Sequence, residues 1–337
     1  MTNYAYNKKT VLLTGAGGPA PSGMISVLRK WGYRVISVDM LPHCPAFFLS
    51  DKSYVVPAGN SKEFLSKLKE ICETERVDAV ISVVDEELPN VIELEKFGIK
   101  VIQPELDFTN LCLDKYKCMN KLREVGLAAA ETLLVSEVSE VSEVSENLPY
   151  PLFIKPRVGR GSRGIGKIGN RQELTEFIKK SSYTAENLLC QPYLPGTEYT
   201  ISVVVWRDGE VQAVVPKEII SKIGVTKIAI TRKNEKIHQL CSNIQKKLKA
   251  NGPFNVQLRL DSQGNPVVFE INPRFSTSIT LTMASGIDEL GGLLSQALFG
   301  KESFKFNEWH DGVVMLRHTT DQFISEAAYK KQPIIPS

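Results

Sequence analysis

Histidine is scarce in this chain, with four residues in 337, and no two of them cluster. That leaves no support for a histidine-based catalytic triad or a histidine zinc site. Six cysteines are scattered at 44, 72, 112, 118, 190 and 241, and none forms a Cys-x-x-Cys pair. A structural zinc or a disulfide framework is therefore disfavoured, and reduced, buried thiols of a cytosolic protein are expected. No apolar run approaches the ~20 residues that cross a bilayer. The stretch from Met1 to Lys9 is polar and lacks the apolar region of a signal peptide, so a cytoplasmic location without a membrane partner is expected. An excess of one charge is missing too. A net charge of +3 gives no reason to invoke nucleic acid. What is present, 42% hydrophobic and 23% charged residues, describes an ordinary globular chain with room for two or three domains.

Strand and helix patterns alternate through the first third. Val11–Thr14, Arg34–Asp39, Ala79–Val84 and Lys100–Gln103 read as strands. The patterns through Lys30, Phe64–Glu75 and Val91–Phe97 read as helices. Such alternation predicts a parallel sheet with helices on both sides. Gly15 and Gly17 with Asp39 resemble part of a dinucleotide fingerprint. The third glycine would fall at Ala20, among prolines, so a tight strand-to-helix turn is the better reading. Asp85, Glu86 and Glu87 follow a strand directly. They stand where a substrate amine would be held in an open α/β sheet, although capping of the next helix is favoured.

In the middle third, the helix pattern 114–125 carries Lys115, Lys117 and Lys121, which by themselves read as a solvated face. The Val-Ser-Glu repeat at 135–146 fits neither the strand nor the helix period and reads as an exposed loop or short helix, with mobility expected. A strand ending near Lys155 then leads into residues 157–167. These hold four glycines, three arginines and a lysine, including Gly159, Gly161, Ser162 and Gly164. Glycine lets backbone N–H groups wrap phosphate oxygens, and the cations add charge. A glycine-rich hairpin without a ligand is the alternative. Gln191, Tyr193 and Leu194 lie in an extended segment suited to a flat purine, and Glu198 is placed to accept hydrogen bonds from ribose. Strands over 199–206 and 211–215 are expected about the Asp208-Gly209 turn.

The last third carries a second hairpin. Runs at 254–261 and 266–274 flank a turn containing Gly264. Folded about Gln263-Gly264, Gln257 faces Glu270 and Asn255 faces Asn272, with directly opposed Cβ atoms ~5 Å apart. Glu270, Asn272 and Arg274 share a face while the strand lasts. This makes a patch of oxygen ligands with a cation at its edge, as Mg²⁺ prefers when phosphate supplies further ligands. An ordinary polar sheet face is the alternative.

The order Lys115, Lys155, glycine-rich loop, Gln191 to Leu194 with Glu198, then Gln257 and Glu270 to Arg274 resembles the ATP-grasp superfamily of ligases. The likeness is strongest to one synthetase repeat of the carbamoyl-phosphate synthase large subunit and covers nearly the whole chain. It implies a Rossmann-like α/β pre-ATP-grasp domain over 1–112. A lid subdomain with the glycine-rich loop (113–195) and a C-terminal subdomain with the metal site (196–337) follow, the two α+β units gripping ATP. By this resemblance Lys115 and Lys155 contact ATP phosphates, Lys155 also lying near the adenine. The loop with Gly161, Ser162 and Gly164 covers the β- and γ-phosphates. Gln191, Tyr193 and Leu194 take the adenine and Glu198 the ribose. Gln257, Glu270 and Asn272 hold Mg²⁺, with Mn²⁺ as a substitute, and Arg274 stabilises the transferring phosphoryl group. Gln191 stands where the family usually has Glu, and Pro192 removes a backbone donor. The implied activity is a carboxylate-amine ligase working through an acyl phosphate. The alternative is phosphorylation of bicarbonate or carbamate. Small-molecule acid and amine substrates are expected, with contacts near Gly17–Ser22, Asp85 and Arg317, and the oligomeric state is open with a homodimer the common default.

Overall fold

A computed structural model describes residues 9–139, 148–161 and 163–334. Three sheets organise the chain. The first has five parallel strands in the order β3-β2-β1-β4-β5. They are β1 Thr10–Thr14, β2 Arg34–Asp39, β3 Lys52–Val55, β4 Ala79–Ile81 and β5 Lys100–Val101. β1 is buried throughout, as expected of a parallel strand covered by helices on both faces. The third strand ends at Ile81 rather than at Val84, because the chain turns at Ser82, whose Oγ accepts from the Val84 peptide. Leu88–Val91 is a short α-helix and Ile92–Phe97 a 3-10 turn.

The second sheet has four antiparallel strands in the order β6-β9-β7-β8: β6 Leu133–Leu134, β7 Leu152–Pro156, β8 Gly166–Ile168 and β9 Leu188–Pro192. Of the Val-Ser-Glu repeat, Val135–Ser139 begins as a short helix, and residues 140–146 lie outside the described residues. The third sheet has six antiparallel strands in the order β14-β13-β10-β11-β12-β15. These are β10 Glu198–Val205, β11 Val211–Ile223, β12 Val225–Thr231, β13 Phe254–Leu260, β14 Pro266–Asn272 and β15 Val314–Leu316. β11 runs well beyond the expected Val215, with register shifts around Ser221.

The first and third sheets share one core. Val11, Leu13, Met24 and Ile25 cluster with Val204, Trp206, Val215 and Phe275. A second core joins the other face of the six-stranded sheet to the helices Lys115–Glu124 and Glu235–Leu248 through Met119, Leu122, Leu240 and Ile244. At the edge of the first sheet, Ile334 forms a parallel bridge with Tyr54. The Val55 peptide donates to Ile334 O at 3.1 Å, and the Ile334 peptide donates to Ser53 O at 2.9 Å. Among the described residues no helix is long and apolar enough to cross a membrane.

Candidate active site

One cavity of about 490 Å³ lies between the glycine-rich loop and the β13–β14 hairpin. Its size is that of a small-molecule site. Seven cationic side chains and two carboxylates, Glu198 and Glu270, line it. That balance favours a strongly anionic ligand such as a polyphosphate.

The floor is the hairpin. Gln257 faces Glu270 and Asn255 faces Asn272, as the alternation of the sequence predicts. Towards the turn the ladder slips by one residue, so that Leu258 faces Val268 instead of Phe269. The bulge leaves Phe269 out of the ladder. Its carbonyl oxygen accepts from Lys155 Nζ at 2.8 Å and from Gln191 Nε2 at 3.4 Å. Lys155, on β7, is thereby fixed over the hairpin, with Nζ 3.7 Å from Glu270 Oε2. Burial pushes the Lys155 ammonium down to about 8, against the opposing pull of Glu270 and with repulsion from Lys115 adding to the shift. Burial alone would raise the Glu270 carboxyl, but Lys115, Lys155, Lys222 and Arg274 hold it below its usual value, so it is ionised at neutral pH.

The donors Gln257, Glu270 and Asn272 fit a hard divalent ion: one ionised carboxylate and two amide oxygens on one sheet face. No group of three His, Cys, Asp or Glu side chains is gathered among the described residues, so such an ion needs phosphate oxygens to complete its shell. Asn272 Oδ1 also accepts from Arg274 Nη2 at 3.4 Å.

The lid is tied down at both ends. Asp114 caps its helix by accepting from the Lys117 peptide, and its carboxylate also takes a bidentate pair from Arg157 at 2.9 and 2.7 Å. Lys115, read from sequence as part of a solvated face, is only 8% exposed. Its Nζ donates to Gly159 O at 2.5 Å, inside the cavity wall, because the helix opens at Asp114 directly under the loop. Lys117 and Lys121 do lie outside and pair locally, with Asp114 and Glu124. Gly161 lines the cavity, whereas Gly164 does not. A side chain at Gly164 would meet Tyr183 at 2.7 Å, so its role is to let that ring in. Ser162 lies outside the described residues.

Gln191, Tyr193, Leu194 and Glu198 line the same cavity. Gln191 is buried and donates to Thr132 Oγ1 at 2.9 Å. The Tyr193 ring carries Lys167 Nζ 3.9 Å from its centroid. Glu198 is paired on both sides, with Arg259 at 2.7 Å and Lys222 at 2.8 Å. Sequence reading missed both of these cations, although Arg259 stands two residues beyond Gln257 on the same strand face, where alternation points to it.

The acids after β4 are not helix caps. The turn they open has no side-chain cap. Asp85 pairs with Arg274, and Glu86 pairs with Arg160 at 2.7 Å and Arg163 at 3.7 Å. Their partners lie far along the chain, which is why local pattern suggested capping. Glu87 is buried, takes hydrogen bonds from Ser82 Oγ at 2.9 Å and from Thr14 Oγ1, and is pushed by burial up to about 7. The Gly15–Gly18 turn has its Gly17 peptide donating to Asp39 at 2.8 Å, which ties the acid of the apparent fingerprint to the backbone. It is a strand-to-helix turn, as the sequence reading preferred.

Comparison with known proteins covers most of the chain. Residues 11–102 match the family described as PylC-like, N-terminal domain. Residues 122–230 match the D-ala D-ala ligase C-terminus, and residues 184–320 match the ATP-grasp in the biosynthetic pathway with Ter operon. The carbamoyl phosphate synthase large chain of Pyrococcus furiosus is 24% identical over 88% of this chain and 30% of its own length. This chain thus spans about a third of that relative or less. Two solved structures share the fold. A biotin carboxylase domain dimer of the Hydrogenobacter thermophilus 2-oxoglutarate carboxylase, holding MgADP, ADP and bicarbonate, superposes with a TM-score of 0.70. It is 17% identical over 89% of this chain and 72% of that one. The L-amino acid ligase from Bacillus licheniformis superposes with a TM-score of 0.67, at 18% identity over 89% and 77%. At such identities the structures establish the fold.

Proposed function

This chain is an ATP-grasp protein, and from that premise we propose that it is an ATP- and Mg²⁺-dependent carboxylate-amine ligase. The observation that carries the reading is the cavity itself, where an ionised Glu270 between two amides faces a cationic, glycine-rich lid. In this reading a carboxylate oxygen attacks the γ-phosphorus of ATP, ADP leaves, and an amine then displaces phosphate from the acyl phosphate to form an amide. Gln257, Glu270 and Asn272 would hold Mg²⁺, which neutralises charge on the β- and γ-phosphates. Mn²⁺ takes the same oxygen ligands and is the expected substitute.

Lys115 and Lys155 bind phosphate oxygens, and the loop about Gly159 to Gly164 covers them and excludes water. Gln191, Tyr193 and Leu194 hold the adenine. Glu198 takes the ribose while Arg259 and Lys222 keep its carboxylate in place. Arg274 stabilises charge on the phosphoryl group in transfer. In this arrangement 1–112, 113–195 and 196–337 act as substrate-facing, lid and metal-bearing domains. A homodimer is part of the proposal, as two-fold assemblies are the commonest; sedimentation mass decides it.

A second reading, phosphorylation of bicarbonate or carbamate, is favoured by the likeness to carbamoyl phosphate synthase over 88% of the chain. An ADP-release screen with Mg²⁺-ATP against pooled amino acids, sugar acids and bicarbonate separates the two, with hydroxylamine present to trap acyl phosphates. A carboxylic acid that stimulates ADP release and yields a hydroxamate is the expected result. Stimulation by bicarbonate alone establishes the second reading, and no stimulation by any pool overturns both.

A further inference from the structure

Behind the cavity stands a buried charge that the proposed reaction does not use. Lys217, on β11, is 0% exposed. Its Nζ donates to Ser202 Oγ at 2.8 Å and to Thr282 Oγ1 at 2.9 Å. The Ser202 hydroxyl in turn donates to Glu289 Oε1 at 2.8 Å and lies 3.0 Å from Thr282 Oγ1. All four side chains are buried, and the ammonium meets the carboxylate through one hydroxyl. Each comes from a different element. Ser202 is on β10, Lys217 on β11, Thr282 on the helix Ile279–Ala284 and Glu289 on the helix Glu289–Phe299. A charge pair buried this deeply adds little to stability over apolar side chains of equal volume, so the reason for it lies in what it holds.

Thr200 and Ser202 share one face of β10. Thr200 lines the cavity, and Val204, two residues past Ser202, enters the core shared with the first sheet. The network sits at that boundary, at the root of the metal hairpin. Ser202 faces Asn255, and Asn255 faces Asn272. On its other side, the chain that leaves Asn272 belongs to no strand or helix until Ile279. Arg274, Ser276 and Thr277 of this stretch line the cavity. The Ile279 peptide donates to Ser276 O at 3.1 Å and the Leu281 peptide to Ser278 O at 3.0 Å, so the stretch is carried by the helix that bears Thr282. Asp85 grips the Arg274 guanidinium from the side of the first sheet. We propose that Lys217, with Ser202, Thr282 and Glu289, forms a positioning network that ties this helix to β10 and β11 and so sets Arg274 against Asn272. Lys217 touches no substrate. The inference rests on the reading of Arg274 as the residue that stabilises the phosphoryl group in transfer.

Lys217→Met combined with Glu289→Gln removes both charges, so neither is left buried alone. Affinity for ADP-Mg²⁺ is measured with and without aluminium fluoride, which stands in for the phosphoryl group in transfer, and the urea midpoint is followed beside it. The wild type is expected to bind about 10²-fold more tightly with the fluoride, a modest gain for a transition-state mimic. Arg274→Gln should lose that gain. In K217M/E289Q the gain should shrink about tenfold through a displaced Arg274, with affinity for ADP-Mg²⁺ alone unchanged. A gain equal to that of the wild type overturns the inference whatever the urea midpoint does, since a merely structural network moves only the midpoint. No gain in the wild type overturns the ligase reading, and a full gain in R274Q overturns the role given to Arg274; either takes the inference with it. Should the double variant not fold, Thr282→Ser and Thr282→Val decide. The serine keeps the hydroxyl and should hold the gain, while the valine should lose it; equal gains in the two overturn the inference.

Discussion

Lys155 shows how one side chain reports on this site. Its ammonium is held near 8 by burial, so it is partly deprotonated just where bound phosphate would want it charged. Nucleotide binding above pH 8 should therefore take up a proton. The Kd for ATP should rise up to tenfold per pH unit between about 8 and 10, as one proton is linked to binding. Calorimetry in buffers of different ionisation enthalpy measures the uptake, and Lys155→Arg should abolish it. Glu270→Gln removes the only carboxylate of the proposed metal shell. Mg²⁺-dependent ADP release should drop roughly 10²-fold or more while the unfolding midpoint holds; ADP release like that of the wild type would remove Glu270 from the metal site. Glu87 links a proton to folding rather than to binding. Its folded pKa, about 7, is above its ordinary 4.5, so the fold binds more protons than the open chain in that window. Its stabilising share is complete below about pH 4.5 and lost as pH rises through about 7. Urea midpoints between pH 5 and 8 should show this loss, and Glu87→Gln should flatten it.

At the scale of elements, the β13–β14 hairpin was legible because alternation and a Gly264 turn set register together. Gln257 facing Glu270 needs nothing more. The bulge that follows was not legible. No residue type marks it, yet it turns the Phe269 carbonyl toward Lys155. The lid's arginines were legible as charge beside glycine, but not their partners. Glu86 and Arg160 are 74 residues apart, and only the packing of the first sheet against the lid brings them together. By helix pattern alone Lys115 read as solvated, like Lys117 and Lys121 on the same helix, whereas the order of motifs set it at the nucleotide, and it lies in the cavity wall. Gly196 makes a sharper case of packing that sequence hides. A Cβ there would fall 1.6 Å from Leu260 O, which is backbone and has no room to yield. Gly196→Ala should cost about 2–3 kcal/mol by forced overpacking, read as a lower urea midpoint. It should also raise KM for ATP, because Glu198 stands two residues on.

For the whole molecule, the shared core is the governing fact. Val11, Leu13 and Met24 of the first sheet's unit bury themselves against Trp206 and Phe275 of the six-stranded sheet. The α/β alternation of the sequence foretold a parallel sheet but not which surface would cover it. A fragment of residues 1–112 made alone should therefore expose that face, bind a hydrophobic dye and unfold without a sharp transition. A cooperative transition and no dye binding would show the unit to be independent. The bridge between Ile334 and Tyr54 bears on how the molecule is made. Ser53 bonds to Gln332, 279 residues further on. At 5–20 residues per second, a ribosome needs roughly a quarter of a minute to a minute to cover that gap. Throughout it the nascent first sheet presents an open β3 edge to any other strand in reach. A stretch of chain made long after the first sheet is what closes that sheet's edge.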